Sequence, residues 1–332
     1  MSQIVQPTPE RLAEAAERIR GGRLVAFATE TVYGLGANAL NPAAVAEIFE
    51  LKGRPLFDPL IVHVSSVEQA QSLCAKWPKT AEKLAAKFWP GPLTLVLPRR
   101  DVVPDLVTAG LPNVALRWPA HPLAQELIRL ADRPIAAPSA NRFASISPTS
   151  AADVAAELTD DDLWILDGGP CQHGLESTVV SLVNEQPIVL RLGSLSVEEL
   201  EAELGPLSIA NRSVKESELQ SGLASPGHLS RHYSPRTRLR LIEPPAGPPH
   251  HDDHERVGLL CFGNAEPLIS GAKFAAVENL SVQSDLREAA TRLYAALRSL
   301  DQANLDSIIA FPLPQQGLGR AINDRLRRAA HM

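Results

Sequence analysis

The chain has 332 residues, 45% hydrophobic and 21% charged, with a formal net charge of −6; this composition is typical of a soluble globular protein and argues against a general nucleic-acid binder. At roughly 100–200 residues per domain, the length predicts two domains. No apolar run could span a membrane, the N-terminus lacks the layout of a signal peptide, and three widely separated cysteines favour neither a disulfide framework nor a zinc site, so we expect a cytoplasmic location.

Short apolar runs that alternate with helical periodicity predict an α/β fold for the first part of the chain. The predicted strands lie at 24–28, 60–64, 93–97, 114–117, 134–138, 164–166, 177–183 and 188–192. The predicted helices lie at 9–20, 42–52, 67–75, 80–88, 122–130, 150–158 and 197–204. Tyr33, Gly34 and Gly36 predict a turn that lets backbone approach a ligand closely.

A second, smaller α/β pattern follows a stretch without clear periodicity. Its predicted strands lie at 238–242, 257–262, 274–277 and 307–311, and its predicted helices at 285–300 and 319–330. We therefore expect a first domain at 1–205, a linker or lid at 206–236, and a small C-terminal α/β domain at 237–332.

Polar side chains concentrate at the joints between elements, where α/β proteins bind ligands. Lys52 and Arg54 flank Gly53 at the end of a predicted helix. Two such cations suit an anion with several phosphates, although they could also be C-terminal charges that complement the helix dipole. Arg117 ends a buried strand and needs an anion, either a side chain or a ligand carboxylate.

Other polar residues have both a structural and a functional interpretation. His63 is a core histidine or a ligand, and Arg191 is a surface ion-pair partner or a ligand. Ser139 and Asn141 lie in a Pro-bounded turn that is either structural or part of a site. Gly174 to Thr178 form a glycine turn that enters a strand, with the same two interpretations.

Two weaker patterns point elsewhere. Residues 34–39 match GxGxxA, a dinucleotide-binding pattern, but they follow a polar turn rather than a strand. The loop with His250, His251 and His254 could bind a metal, but its many prolines favour a solvated loop. No P-loop, HExxH or GxSxG sequence occurs.

Several longer motifs occur in an order that resembles the YrdC-like threonylcarbamoyl-AMP synthases. They read TETVYGLG, KGRP, PLIVHV, FWPGPLTLVL, APSAN, SPT and GLESTVV, followed by the strand-end Arg191. SPG and HYSP, with the ending GLGRAINDRLRRAA, look like the long, two-domain form. The resemblance implies a YrdC-like twisted mixed-sheet catalytic domain with flanking helices, plus a smaller Rossmann-like α/β domain.

The resemblance also implies a reaction and its site. Family members are nucleotidyltransferases that join ATP, L-threonine and bicarbonate (or CO2) into threonylcarbamoyl-AMP and pyrophosphate. A separate tRNA threonylcarbamoyl transferase complex then modifies adenosine-37 of tRNA, so tRNA is only an indirect partner. By matching motifs, the threonine site would comprise Thr31, His63, Arg117, Ala137 and Ser177. The ATP site would comprise Lys52, Arg54, Asp58, Asn113, Ser139, Asn141, Ser147, Arg191 and Tyr233, and Mg²⁺ would arrive on the ATP phosphates.

The chain departs from the family pattern at five positions, which are Ala28, Asp58, Asn113, Leu192 and Leu229. At Asp58 the family has asparagine, so a carboxylate here would repel phosphates unless Mg²⁺ intervenes. Lys52 and Arg54 are the expected catalytic cations, because the chemistry needs charge stabilisation rather than a side-chain nucleophile. Two rival functions are an RNA-binding or ribosome-assembly factor of the same fold and a related carbamoyl-transfer enzyme.

Overall fold

The computed structural model describes residues 2–210, 233–243, 249, 254–270 and 273–330. The chain forms two compact units. The first consists of Met1–Phe143, Ser147–Gln172 and Glu176–Leu229, and the second of Ala144–Ile146, His173–Leu175 and Ser230–Met332. Most of the predicted linker or lid, together with His250 and His251, lies outside the described residues.

The first unit contains eleven strands and eight α-helices among its described residues. The strands are β1 (Gln3–Val5), β2 (Val25–Phe27), β3 (Gly34–Asn38), β4 (Ile61–His63), β5 (Leu93–Pro98), β6 (Asn113–Arg117), β7 (Ile135–Ala136), β8 (Trp164–Leu166), β9 (Thr178–Ser181), β10 (Ile188–Arg191) and β11 (Ser208–Ile209). The helices are α1 (Pro9–Arg20), α2 (Pro42–Lys52), α3 (Val67–Leu73), α4 (Lys79–Phe88), α5 (Asp105–Thr108), α6 (Pro122–Ala131), α7 (Ala151–Glu157) and α8 (Val197–Leu204).

All eleven strands join one mixed sheet in the order β1-β8-β2-β3-β7-β4-β6-β5-β9-β10-β11. The pairs β4/β6 and β5/β9 are parallel, whereas β5/β6 and β9/β10 are antiparallel. The predicted mixed-sheet α/β class is therefore confirmed. The sequence pattern did not predict β1, α5 or β11, three elements of two to four residues.

Helix α2 begins and ends where its sequence predicts. The Asn41 side chain accepts hydrogen bonds from the amides of Ala43 and Ala44, and Pro42 takes the first helical position, where no intrahelical donor is needed. Gly53 ends the helix in the left-handed conformation at φ 62°, which glycine adopts without steric cost. These caps fix Lys52 at the helix end and Arg54 just beyond it.

The prediction of a turn at 33–36 is wrong, because Gly34 starts β3 and the chain reverses earlier. The Thr29 hydroxyl accepts from the amide of Thr31 and donates to the carbonyl of Val32, at 3.2 and 2.6 Å. A Cβ on Gly36 would lie 2.7 Å from the Phe27 ring and 2.9 Å from Ile135. The glycine therefore makes room for core side chains, and the GxGxxA match is a strand rather than a phosphate-binding loop.

The two faces of this sheet are covered differently. One face packs against α2, α3, α4, α5, α7 and α8 in the largest hydrophobic cluster. On the other face, α1 and α6 cover the region of β2, β7 and β8. Farther along that second face lies a small apolar cluster made only of strand residues: Ile61, Val96, Ala115 and Val179, with Leu190 beside them. We call this cluster and the polar residues that alternate with it the site face.

The second unit is a parallel four-stranded sheet in the order β12-β15-β13-β14. Its elements are β12 (Arg238–Leu241), β13 (Val257–Cys261), α9 (Glu266–Ile269), β14 (Ala276–Asn279), α10 (Leu286–Asp301), β15 (Ser307–Ala310) and α11 (Leu318–Ala330). The predicted small α/β domain is confirmed, although the strand predicted at 274–277 lies two residues later and α9 was not predicted. Asn323 of α11 clamps the loop after β15, because its side chain bonds both the amide and the carbonyl of Leu313 at 2.8 Å.

Gly36→Ala should destabilise the first unit by about 1–3 kcal/mol, since the new methyl group overpacks a filled core. Urea unfolding followed by circular dichroism measures the change. Gly21→Ala is the matched control, because Gly21 has an ordinary φ of −73° and its nearest Cβ contact would be 3.3 Å away. Equal costs for the two variants would contradict the packing role of Gly36.

Candidate functional site

His63 and Arg117 lie side by side on the site face. They are register partners on the parallel strands β4 and β6, so their side chains leave the sheet on the same side. His63 also pairs with Ile135 of β7 and meets the Phe27 ring edge-on, with ring centroids 6.3 Å apart. It therefore marks the boundary between the helix-covered half of the face and the polar half.

Arg117 forms a buried ion pair with Glu30, so a side chain supplies the anion that this strand-end arginine needs; the sequence did not identify Glu30 as the partner. Its Nη2 donates to Glu30 Oε1 at 2.6 Å, and the other Glu30 oxygen accepts from the amide of Ala120 at 3.0 Å. Burial raises the pKa of Glu30, but the Arg117 charge and these hydrogen bonds outweigh it and leave the pKa below its usual value. Arg117 is thus held in one orientation, with Nε turned toward the carbonyl of Gly91 at 3.3 Å.

His63 is neutral at physiological pH. Burial and the positive charge of Arg117 lower the pKa of His63 to about 3. Within the described part of the chain, its Nδ1 atom is buried and has no hydrogen-bond partner. A neutral imidazole nitrogen can donate or accept according to its tautomer, so His63 can hold a polar substrate group without adding charge.

Thr94 and Ser177 continue the polar row across the next two strands. Their hydroxyls lie 2.8 Å apart, and the parallel register of β5 with β9 pairs Leu93 with Thr178. The sequence analysis did not identify Thr94 as a candidate site residue. The one sign of it was a polar residue inside the otherwise apolar strand β5. Small hydroxyls of this kind position a ligand through hydrogen bonds.

A β-bulge aims Arg191 at this row. In β10, Val189 pairs with Val180 but Arg191 pairs with Val179, so Leu190 is the extra residue. Strict alternation would leave Arg191 on the same face as Val189, in the helix-covered core. The bulge moves it to the site face, where Nη2 donates to the carbonyl and hydroxyl of Ser177 at 3.0 and 3.1 Å.

Lys52 lies fully inside the protein at the end of α2. Its Nζ donates to the carbonyl of Ser139 at 2.6 Å and also to the carbonyl of Asn141. Burial lowers the pKa of Lys52 well below its usual value, and the neighbouring Arg54 charge adds to the effect. The structure therefore brings Lys52, Ser139 and Asn141 together, with the lysine joining α2 to the loop after β7.

Arg54 lies beside Lys52 and is equally buried. Its Nε and Nη2 donate to the carbonyls of Asp58 and Pro59 at 3.1 and 2.9 Å, and Nη2 lies 2.9 Å from the Asp58 carboxylate. Burial raises the pKa of Asp58, while Arg54, Arg191 and Lys52 oppose that rise. Arg54, Arg191 and Lys52 thus all act on one buried carboxylate, and guanidinium groups placed in this way suit a polyanion.

Three more predicted residues of the first unit, Ser147, Thr31 and Ala137, each form a hydrogen bond within the protein. Ser147 donates to Glu176 Oε1 at 2.6 Å, and Glu176 is a second buried carboxylate that was not predicted. The Thr31 hydroxyl lies 2.8 Å from that of Thr29. The amide of Ala137 donates to the carbonyl of Ile61 at 3.0 Å.

Two further predicted ATP residues are Asn113 of the first unit and Tyr233 of the second. Asn113 begins β6, four residues before Arg117 and therefore about 13 Å from it along the strand. Tyr233 belongs to the second unit, where its buried ring stacks on Tyr294 with centroids 5.9 Å apart and the Arg325 guanidinium lies 4.8 Å from it. Backbone strain accompanies this placement, since Tyr233 has φ 62°.

The site face, together with the buried residues at and after the end of α2, thus offers two kinds of chemistry. A neutral row of His63, Thr94 and Ser177 with the guanidinium of Arg117 suits a small polar ligand that carries a carboxylate. The cations Lys52, Arg54 and Arg191 suit phosphates. Among the described residues, no group of three or more His, Cys, Asp or Glu side chains could hold a metal, and no helix is long and apolar enough to cross a membrane.

Comparison with known proteins gives a family match for each part of the chain. A family model described as "Telomere recombination" (Sua5_yciO_yrdC) matches residues 17–193. A second model, described as "Threonylcarbamoyl-AMP synthase, C-terminal domain", matches residues 195–331.

Similar proteins match over nearly the whole chain. A threonylcarbamoyl-AMP synthase of Pyrococcus abyssi is 44% identical, covering 98% of this chain and 97% of its own. One from Bacillus subtilis is 42% identical, covering 96% and 93%. The crystal structure of P. abyssi Sua5 complexed with L-threonine superimposes with a TM-score of 0.89, at 40% identity, covering 99% of this chain and 98% of that one.

Glu30→Gln should lower the unfolding free energy by about 3–5 kcal/mol near pH 7, because it leaves Arg117 buried without a counter-charge. The native pKa of Glu30 is depressed, so its contribution is complete above the unfolded value and is lost as pH falls through the native value. The difference between wild type and variant should therefore shrink below about pH 4. Urea unfolding at several pH values measures it.

Glu14→Gln is the control for this measurement, since Glu14 pairs with Arg11 at the surface and both side chains are about half exposed. It should cost less than about 1 kcal/mol. A Glu30→Gln cost as small as that of the control would contradict the buried ion pair.

Proposed function

Since this chain belongs to the Sua5/YciO/YrdC family, in the long two-domain form of the threonylcarbamoyl-AMP synthases, we propose that the site face is where its substrates are joined. The activity is a nucleotidyl transfer that makes threonylcarbamoyl-AMP for t6A modification of tRNA. ATP, L-threonine and bicarbonate or CO2 are the substrates, and a downstream tRNA threonylcarbamoyl transferase complex is the partner that uses the product. The three cysteines are free and buried, which supports a cytoplasmic location.

The chemistry needs charge stabilisation and positioning. The threonine amine attacks CO2 and loses a proton to form a carbamate; an oxygen of the carbamate then attacks the α-phosphorus of ATP. The bond between the α-phosphorus and the bridging oxygen breaks, and pyrophosphate leaves with the electron pair. Negative charge builds on the phosphates, so buried cations that are already oriented stabilise the transition state.

We assign threonine to the neutral row. Arg117 can bind the threonine carboxylate through two parallel hydrogen bonds, since Glu30 already holds its guanidinium in place. His63, Thr31 and Ser177 are polar groups for the amine and the hydroxyl, and the backbone at Ala137 completes this proposed subsite. The P. abyssi Sua5 structure is a complex with L-threonine, which supports this ligand.

We assign ATP to the cationic side. Lys52, Arg54 and Arg191 lie near one another and share the electrostatic field of Asp58. The proposed subsite also includes the polar residues that match the family motifs, namely Asn113, Ser139, Asn141, Ser147 and Tyr233. This assignment orients the α-phosphate toward a carbamate held on the neutral row.

The observation that carries the proposal is the position of Arg191, which hydrogen-bonds to Ser177 in the polar row of the site face and also acts, with Lys52 and Arg54, on the buried Asp58 carboxylate. Exchange of labelled pyrophosphate into ATP tests it. We expect exchange only when both L-threonine and bicarbonate are present. Exchange without threonine would indicate another carbamoyl-transfer substrate, and salt-dependent RNA affinity with no exchange would indicate an RNA-binding factor.

Arg117→Ala should weaken L-threonine binding by about 2–4 kcal/mol while ATP binding stays nearly intact, since only the carboxylate partner is removed. Arg117→Lys should recover little, because an ammonium cannot make the paired hydrogen bonds. Calorimetry with each ligand separately is the measurement. Equal losses for both ligands would show that Arg117 only supports the structure.

Lys52→Ala or Arg54→Ala should lower adenylate formation about 10²–10³-fold, the usual effect of removing one charge-stabilising donor. Both side chains are buried and hydrogen-bonded, so we also expect each substitution to lower the thermal stability of the protein. Initial rates of pyrophosphate release, compared at a temperature where each variant is folded, give the catalytic effect. A near-wild-type rate in either variant would remove that residue from the phosphate site.

A further inference from the structure

Asp58 is the buried group that the proposed mechanism leaves least satisfied. It has no exposed surface, and neither carboxylate oxygen accepts a hydrogen bond within the described part of the chain. Among the described residues, Arg54 is its close charge partner, with Nη2 2.9 Å from Oδ2. An ionised carboxylate offers about four acceptor positions, and leaving them empty in a buried site is costly.

A purely structural ion pair explains only part of this arrangement. Arg54 is already positioned by the carbonyls of Asp58 and Pro59, so the carboxylate is not needed to fix its direction. Oδ2 faces the guanidinium, but Oδ1 has no such partner. An asparagine amide in its place would accept from Arg54 without introducing a negative charge.

The surroundings of Asp58 change sign when a triphosphate binds. Without ligand, the carboxylate lies in the field of Lys52, Arg54 and Arg191. Once phosphate oxygens neutralise those cations, Asp58 would face like charges inside a poorly solvated site, where repulsion is strong. A divalent cation between the carboxylate and the phosphates removes this repulsion.

We propose that Asp58 is a protein ligand of the Mg²⁺ that enters with ATP, and this inference rests on the proposed function. Mg²⁺ prefers oxygen ligands, keeps several waters, and typically binds through one or two carboxylates together with substrate phosphates. One carboxylate oxygen, phosphate oxygens and water satisfy that preference. Such a site needs no preformed acidic cluster, which agrees with the described residues.

Calorimetry of ATP binding, with excess Mg²⁺ and with EDTA, tests the proposal on the full-length wild type and on Asp58→Asn. Wild type should bind ATP on the order of tenfold tighter with Mg²⁺ than without it, because the metal relieves the repulsion. The variant should lose most of this ratio. It should also bind metal-free ATP more tightly than wild type does, since one negative charge has gone.

Glu157→Gln is the matched control. Glu157 is the last residue of α7, and its charge also acts on Lys52. Its carboxylate already accepts a hydrogen bond from the amide of Arg142. Removing it should change ATP affinity equally with and without Mg²⁺ and leave the ratio unchanged. If Glu157→Gln lowers the ratio as much as Asp58→Asn does, the effect is one of net charge and the proposal is overturned.

A measurement on wild type alone covers the case in which Asp58→Asn does not fold. The exchange-inert Cr(III) complex of ATP cannot release a metal-bound water to a carboxylate, so it should bind on the order of tenfold more weakly than MgATP. If wild type binds CrATP and MgATP equally, or if Asp58→Asn keeps the wild-type ratio of ATP affinities with and without Mg²⁺, direct coordination by Asp58 is overturned. Neither result would contradict the proposed function. Failure of wild type to bind ATP in any form would overturn the proposed function as well.

Discussion

The cost of burying charge is the constraint on which the site face depends. Arg117, Arg54 and Lys52 all lie almost entirely away from solvent. Each is compensated in its own way: Arg117 by the Glu30 carboxylate, Arg54 by Asp58 and two carbonyls, and Lys52 by two carbonyls. These partners hold the cations in fixed directions before substrate arrives, and fixed charges stabilise a transition state without reorganisation at the moment of reaction.

The alternation of side chains along each strand decides which of them lie on the same face of the sheet. On β4 and β6, the alternation that buries Val62 and Leu116 against the helices places His63 and Arg117 on the opposite face. The same rule would send Arg191 into the core if β10 were regular. A single extra residue at Leu190 reverses it, so the position of Arg191 on the site face depends on one local irregularity of the sheet.

The second unit shows a comparable use of buried polar groups. Arg325 of α11 has no exposed surface, forms an ion pair with Asp324 at 2.7 Å, and lies over the ring of Tyr233. Asn323, two residues earlier, fixes the loop that follows β15. The C-terminal motif GRAINDRLRRAA therefore stabilises the packing of its own unit, including the position of Tyr233.

The sequence by itself determined the α/β class, the presence of a small C-terminal α/β domain and the capped helix α2, because caps, periodicity and long motifs are local features. The assignment of residues to the ATP and threonine sites stays a prediction. The sequence pattern missed Glu30, Thr94 and Glu176, and it predicted a turn where β3 begins. Only the tertiary structure decided these points: Glu30 and Arg117 are 87 positions apart, and Gly36 is small because of Phe27 and Ile135, which no local pattern contains. The direction of Arg191 was likewise fixed by pairing between strands rather than by its neighbours in the chain.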